Sequence, residues 1–112
     1  MLAAWNERDL DKIRSHLDAA LSPDVHFVDP DNDIRGIDAF EEMVRALRTR
    51  LPEMVCARES AVDGHHDRYR YEWSVSVGGT VLMPGFDVTT LDEQGRVVQV
   101  DGFFGPLPAL AS

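Results

Sequence analysis

The sequence predicts an α+β domain in which two amphipathic helices precede a long antiparallel sheet. Three observations carry that expectation. Apolar residues recur at helical spacing in residues 6–21 and again after Asp38. From residue 54 the pattern changes to period two and keeps it to residue 104. Gly- and Asp-rich turn signals separate those period-two runs, so neighbouring strands are expected to pair as hairpins. Helices written first and strands afterwards predict helices covering one face of a curved sheet.

In order, residues 6–21 read as a helix with Leu10, Ile13, Leu17, Ala20 and Leu21 on one face and Asp11, Lys12, Arg14 and Asp18 opposite. Ser22-Pro23-Asp24 is expected to end it, with a short strand at 25–29. Asp31-Asn32-Asp33 is a turn, because Asx side chains bond nearby backbone, and Ile34-Arg35-Gly36 is a brief returning strand. Asp38 as N-cap with Glu41 three residues on forms a D-x-x-E capping box before an apolar stripe of Phe40, Met43, Val44, Leu47 and Leu51. Pro52 stops that helix. Residues 54–62, 68–77, 81–91 and 96–104 read as strands of a meander, with turns at Asp63-Gly64, Gly78-Gly79 and Asp92-Glu93-Gln94-Gly95. Pro106-Leu107-Pro108 cannot continue a ladder.

The chain of 112 residues is sized for one domain spanning 1–112, with a single core and a modest cavity. A formal charge of −9, from 11 basic and 20 acidic residues, argues against nucleic-acid binding and against adhesion to anionic membranes. Arg45, Arg48 and Arg50 form the one basic cluster and read as a solvated helix surface. No apolar run reaches the roughly 20 residues of a bilayer span, and no basic-then-apolar leader is present, so a cytoplasmic protein is expected. Cys56 stands alone, and no Cys or His spacing resembles a zinc site, so no metal is expected.

Two aspartates break the strand patterns. Asp29 shares a face with Val25 and Phe27, and Asp87 shares one with Val81 and Met83. If those faces point inward, burial disfavours the ionised form and raises the carboxyl pKa. Each then becomes a candidate base or neutral hydrogen-bond donor near pH 7. The plainer readings are a turn role for Asp29, ahead of Pro30, and a structural ion pair of Asp87 with Arg70 or Arg96.

Several segments, in this order, resemble the nuclear transport factor 2-like superfamily, in particular its SnoaL-like polyketide cyclase and ketosteroid isomerase branches. They are Trp5-Asn6-Glu7-Arg8-Asp9-Leu10, Ser22-Pro23-Asp24-Val25-His26-Phe27-Val28-Asp29-Pro30, Arg35-Gly36-Ile37-Asp38-Ala39-Phe40, Phe86-Asp87-Val88-Thr89-Thr90-Leu91-Asp92-Glu93-Gln94-Gly95, and Asp101-Gly102-Phe103-Phe104. The resemblance implies a cone-shaped, strongly bent sheet wrapped around N-terminal helices, a cystatin-like arrangement with an apolar pocket and homodimers formed through the outer face. It implies that Asp29 is a general base and Asp87 a protonated oxyanion donor, a pair of roles long established for ketosteroid isomerase. The chain departs from the isomerases in one respect. The first helix is expected to be truncated, and it is the helix that supplies their oxyanion-hole tyrosine; the tyrosines here are Tyr69 and Tyr71.

The expected ligand is a hydrophobic small molecule, with Phe27, Tyr71, Trp73, Met83, Val100 and Phe104 lining its pocket, because such sites are walled mainly by apolar and aromatic groups. The expected chemistry, isomerisation or cyclisation by proton abstraction next to a carbonyl, needs no cofactor. Two alternatives stand beside it: a non-catalytic ligand-binding or dimerisation module, and a limonene-type epoxide hydrolase using Arg70 between two aspartates. Gly102 is expected to leave space for a close approach. His26 should face away from Asp29, and His65-His66 reads as a solvated turn.

Overall fold

A computed structural model describes residues 1–111. A short helix α1 (Leu2–Trp5) leads through a 3-10 turn (Leu10–Lys12) into α2 (Ile13–Ala20). Strands β1 (Leu21–Asp29) and β2 (Asn32–Arg35) follow, then α3 (Ile37–Arg50) and strands β3 (Met54–Arg58), β4 (Asp63–His65), β5 (Arg68–Val77), β6 (Thr80–Leu91) and β7 (Val97–Phe104).

These strands form one sheet of order β2-β1-β7-β6-β5-β3, with β4 paired to β5. The α+β class and helix-covered sheet match the expectation, but the sheet is mixed rather than wholly antiparallel: β1 lies parallel to β7. That pairing brings the first strand beside the last and places α2 and α3 across the concave face. Ile13 and Leu17 of α2 and Phe40 and Val44 of α3 are fully buried against Leu21, Val25, Phe27 and Val100. Burying each such side chain stabilises by about 1.5–3 kcal/mol. Trp5, Phe27 and Phe40 meet edge-on or tilted, with ring centroids 5.2–6.2 Å apart.

Four local expectations are corrected. The first helix does not run over 6–21: the Asp9 side chain accepts the Asp11 N–H, and the α-helix proper begins at Ile13. Leu21 is already extended, so the strand begins before Ser22-Pro23 rather than after Asp24. The capping box does not form. Gly36, with φ +89°, occupies the N-cap, and Asp38 lies within the first turn. Arg14 instead draws both carboxylates of the supposed box across to α2, at 2.6 Å from Asp38 and 3.2 Å from Glu41. Finally, Asp63-Gly64 is strand, and the reversal falls one step later at His66, whose φ is +54°.

Arg48 also differs from the solvated surface expected of the basic cluster. It is buried, and its guanidinium donates to the carbonyls of Met54 and Pro52, which fixes the turn from α3 into β3. Asn6 does a similar job for the N-terminal segment. Its side chain pairs with both the N–H and the C=O of Cys56 at 2.7 Å, as a neighbouring strand would. Helix α1 is thereby pinned beside β3, closing one end of the concave face.

Candidate active site

Register explains how Asp29 and Asp87 come together. Asp87 of β6 pairs with Gly102 of β7 and with Tyr71 of β5, while the parallel pairing of Val28 with Asp101 sets Asp29 beside Gly102 from the other side. Asp29, Gly102, Asp87 and Tyr71 thus form a row across four strands on the concave face. Gly102 is what makes the row possible. A Cβ there would stand 3.0 Å from Asp87 Oδ1 and 3.3 Å from Asp29 Cβ, so any larger residue would crowd the carboxylates.

The row forms part of the wall of a cavity of about 670 Å³. Asp29 and Asp87 both line it, as do Phe27, Tyr71, Trp73, Met83 and Phe104. Val100 does not: it is fully buried beneath the helices, in the core with Phe27 and Leu17. Sequence patterning cannot separate two inward positions of one strand when helices cover one and leave the other open. The helical half of the wall, including Trp5, Met43 and Leu47, was not expected. Its signal lay in the same apolar stripe that marked α3 as amphipathic.

Asp87 is held tightly. Its Oδ1 accepts from Trp73 Nε1 at 2.9 Å and its Oδ2 lies 3.2 Å from the Tyr71 hydroxyl. Gly85 lets this happen, because a Cβ there would collide with the Trp73 ring that lies across it. Burial pushes the Asp87 carboxyl above its ordinary range; hydrogen bonds from Trp73 and Tyr71 oppose the shift, and the nearby Asp29 charge reinforces it. An indole N–H only donates, so Oδ1 is an acceptor in either protonation state, and the proton of the neutral acid sits on Oδ2. Burial and Asp87 likewise raise the Tyr71 phenol well above its usual range.

Asp29 is held differently. Its Oδ1 accepts from the Asp31 N–H at 2.9 Å and from Asn32 Nδ2 at 3.0 Å. The turn role and the cavity position therefore coexist in one residue, and among the described residues Oδ2 carries no hydrogen bond. The Cys56 thiol also reaches the cavity, and burial pushes its pKa up to about 11, so it stays a neutral wall group.

A raised carboxyl makes a stability prediction. Asp87 binds its proton more tightly folded than unfolded, so its contribution is fully present below the ordinary pKa of about 3.9 and is lost as pH rises through the folded value. Asp87→Asn imitates the neutral acid at all pH values. It is expected to match the parent in thermal melts near pH 4 and to exceed it increasingly toward pH 8.

A model of the SnoaL-like domain matches residues 1–100. The chain belongs to the SnoaL-like family. A SnoaL-like protein from Agrobacterium tumefaciens, provisionally named an isomerase, is 30% identical, with a TM-score of 0.88 over 94% of this chain and 91% of that one. An NTF2-like protein of unknown function from an Exiguobacterium species is 21% identical, with a TM-score of 0.76 over 95% of each chain. A protein provisionally named a polyketide cyclase from Sinorhizobium meliloti is 16% identical, with a TM-score of 0.69 over 90% of this chain and 87% of that one. These last two share the fold of this chain. No functionally curated protein matches the chain.

Within this SnoaL-like domain the plainer reading of Asp87, an ion pair with Arg70 or Arg96, does not form. Arg70 points to the other face and pairs with Asp63 at 2.8 Å, which also removes it as the middle member of an epoxide-hydrolase arrangement. The hydroxyl beside Asp87 comes from Tyr71 on β5 rather than from a first helix. Among the described residues no three His, Cys, Asp or Glu side chains are grouped as metal ligands, and none of the helices is long and apolar enough to cross a membrane. His26 faces outward, as expected, and contacts Gln99 and Asp33.

Proposed function

We propose that the protein is a cofactor-independent isomerase or cyclase that removes a proton next to a carbonyl of a hydrophobic small molecule. The observation that carries this is the row in which two differently held carboxyl groups flank Gly102 in one apolar cavity. Asp29 Oδ2 takes the α-proton, since Oδ1 is already engaged with the turn. The carbonyl oxygen, gaining negative charge, accepts a hydrogen bond from the proton on Asp87 Oδ2, which Trp73 and Tyr71 hold in place. Returning the proton to a different carbon gives an isomer; attack of the enolate carbon on a second carbonyl closes a ring.

The test needs no knowledge of the natural substrate. An apolar aryl methyl ketone such as acetylnaphthalene, incubated with the protein in deuterated buffer, is expected to exchange its α-protons faster than in buffer alone, followed by NMR. Ketone that binds without accelerated exchange would instead support the ligand-binding module. That second reading draws on the turn bonds of Asp29, which would serve a purely structural residue equally well.

A homodimer through the outer sheet face belongs to the same proposal. On that face Phe103 is half exposed and stacks on Phe86 with centroids 4.9 Å apart, and Val55 is exposed as well. Phe103→Lys is expected to convert a dimer to a monomer in sedimentation experiments.

A further inference from the structure

The cavity wall is electrically lopsided. Three aspartates line it (Asp29, Asp31 and Asp87) against a single arginine or lysine, Arg50. Arg50 is the last residue of α3, continues the stripe of Met43 and Leu47 that faces the cavity, and is exposed, so it lies at the solvent end of that wall. Among the described residues it makes no ion pair, and neither do Arg35, Arg58 and Arg96, but none of those three lines the cavity. A cation at a helix C-terminus ordinarily serves the unsatisfied carbonyls and the helix dipole. The carbonyls that Arg48 holds, those of Pro52 and Met54, lie beyond the helix in the turn into β3. Arg50 also borders a surface groove with Glu42, Arg45 and Thr49, so it stands where the cavity rim meets the outer face of α3.

We infer that the ligand of this cavity is an apolar carbonyl compound carrying a carboxylate, which Arg50 binds at the rim. The inference rests on the proton-abstraction reading for the position of the carbonyl, and it adds the direction of binding. The charged carboxylate of Asp29, the proposed base, repels a second anion from the inner row. An acidic ligand therefore enters with its charge toward Arg50 and its neutral carbonyl end toward the row. A planar guanidinium suits a carboxylate because it offers two parallel N–H donors.

The experiment compares acetylnaphthalene with the corresponding acetylnaphthoic acid by calorimetry at low salt. Wild type is expected to bind the acid about fivefold more tightly than the neutral ketone, the size of one solvent-screened ion pair. Arg50→Gln should bring the affinities for the two ligands to within twofold of each other. Arg50→Glu should reverse the preference; as Arg50 is exposed, neither substitution is expected to disturb folding. Equal binding of acid and ketone by wild type, or a preference that survives in Arg50→Gln, overturns the inference and leaves the proton-abstraction reading intact. If neither ligand binds, the small-molecule reading falls and this inference falls with it.

Discussion

Asp29→Asn is expected to lower enzyme-catalysed α-proton exchange of a bound ketone by about 100- to 10,000-fold, the usual contribution of a positioned general base. The substitution is nearly isosteric. An asparagine Oδ1 still accepts from the Asp31 N–H and from Asn32, so the turn after β1 keeps both of its bonds. What changes is Oδ2, replaced by an amide nitrogen that cannot accept a proton. The variant should therefore melt close to the parent and bind the ketone with similar affinity. Unchanged exchange in a folded, ketone-binding Asp29→Asn would remove Asp29 from the chemistry and return it to its turn.

The largest expected loss of stability comes from Phe40→Ala. Phe40 is fully buried and meets Trp5 and Phe27 at 5.9 and 5.2 Å between ring centroids, so it joins α1, α3 and β1 at one point. Truncating it removes both aromatic contacts and leaves a void that rigid neighbours cannot close. The cost is about 3–5 kcal/mol, a large share of the roughly 5–15 kcal/mol that holds a domain of this size together. Urea unfolding should show a correspondingly lower midpoint at unchanged slope. A loss below about 1 kcal/mol would mean that the helices are not anchored on β1 in the way described. Trp5 and Phe27 also line the cavity, so the same variant should weaken ketone binding.

Much of this architecture was legible in the sequence because periodicity and turn chemistry are local. The runs that became β5, β6 and β7 showed their period-two pattern within a residue of their observed bounds, and Gly78-Gly79 marked the hairpin between two of them. That Asp29 and Asp87 each share a strand face with apolar residues was equally visible, whereas which face points inward was left open, since a strand offers two. Long-range choices were not legible. The capping box at Asp38 satisfied its local rule, yet Arg14 on a separate helix offered those carboxylates a charged partner and Gly36 took the cap. Parallel pairing of β1 with β7 also leaves no local trace, and that pairing is what sets Asp29 beside Gly102.

The partners of Asp87 show the same limit. The plainer reading paired it with Arg70 or Arg96, because a buried carboxylate needs compensation. The chain compensates it with two neutral donors, Trp73 and Tyr71, chosen by strand register and by the bare surface of Gly85. Neutral donors leave the carboxyl raised, where an arginine would have lowered it. Tyr71, read as a lining residue, is thus also what fixes the acid.

The division of labour between the two carboxyl groups is tested most directly by a crystal structure with acetylnaphthalene bound. Its carbonyl oxygen is predicted to lie within hydrogen-bonding reach of Asp87 Oδ2, and its methyl carbon against Asp29 Oδ2, each at about 2.6–3.2 Å or slightly longer for carbon. A ketone seated in the cavity with its carbonyl turned away from both aspartates would contradict the assignment.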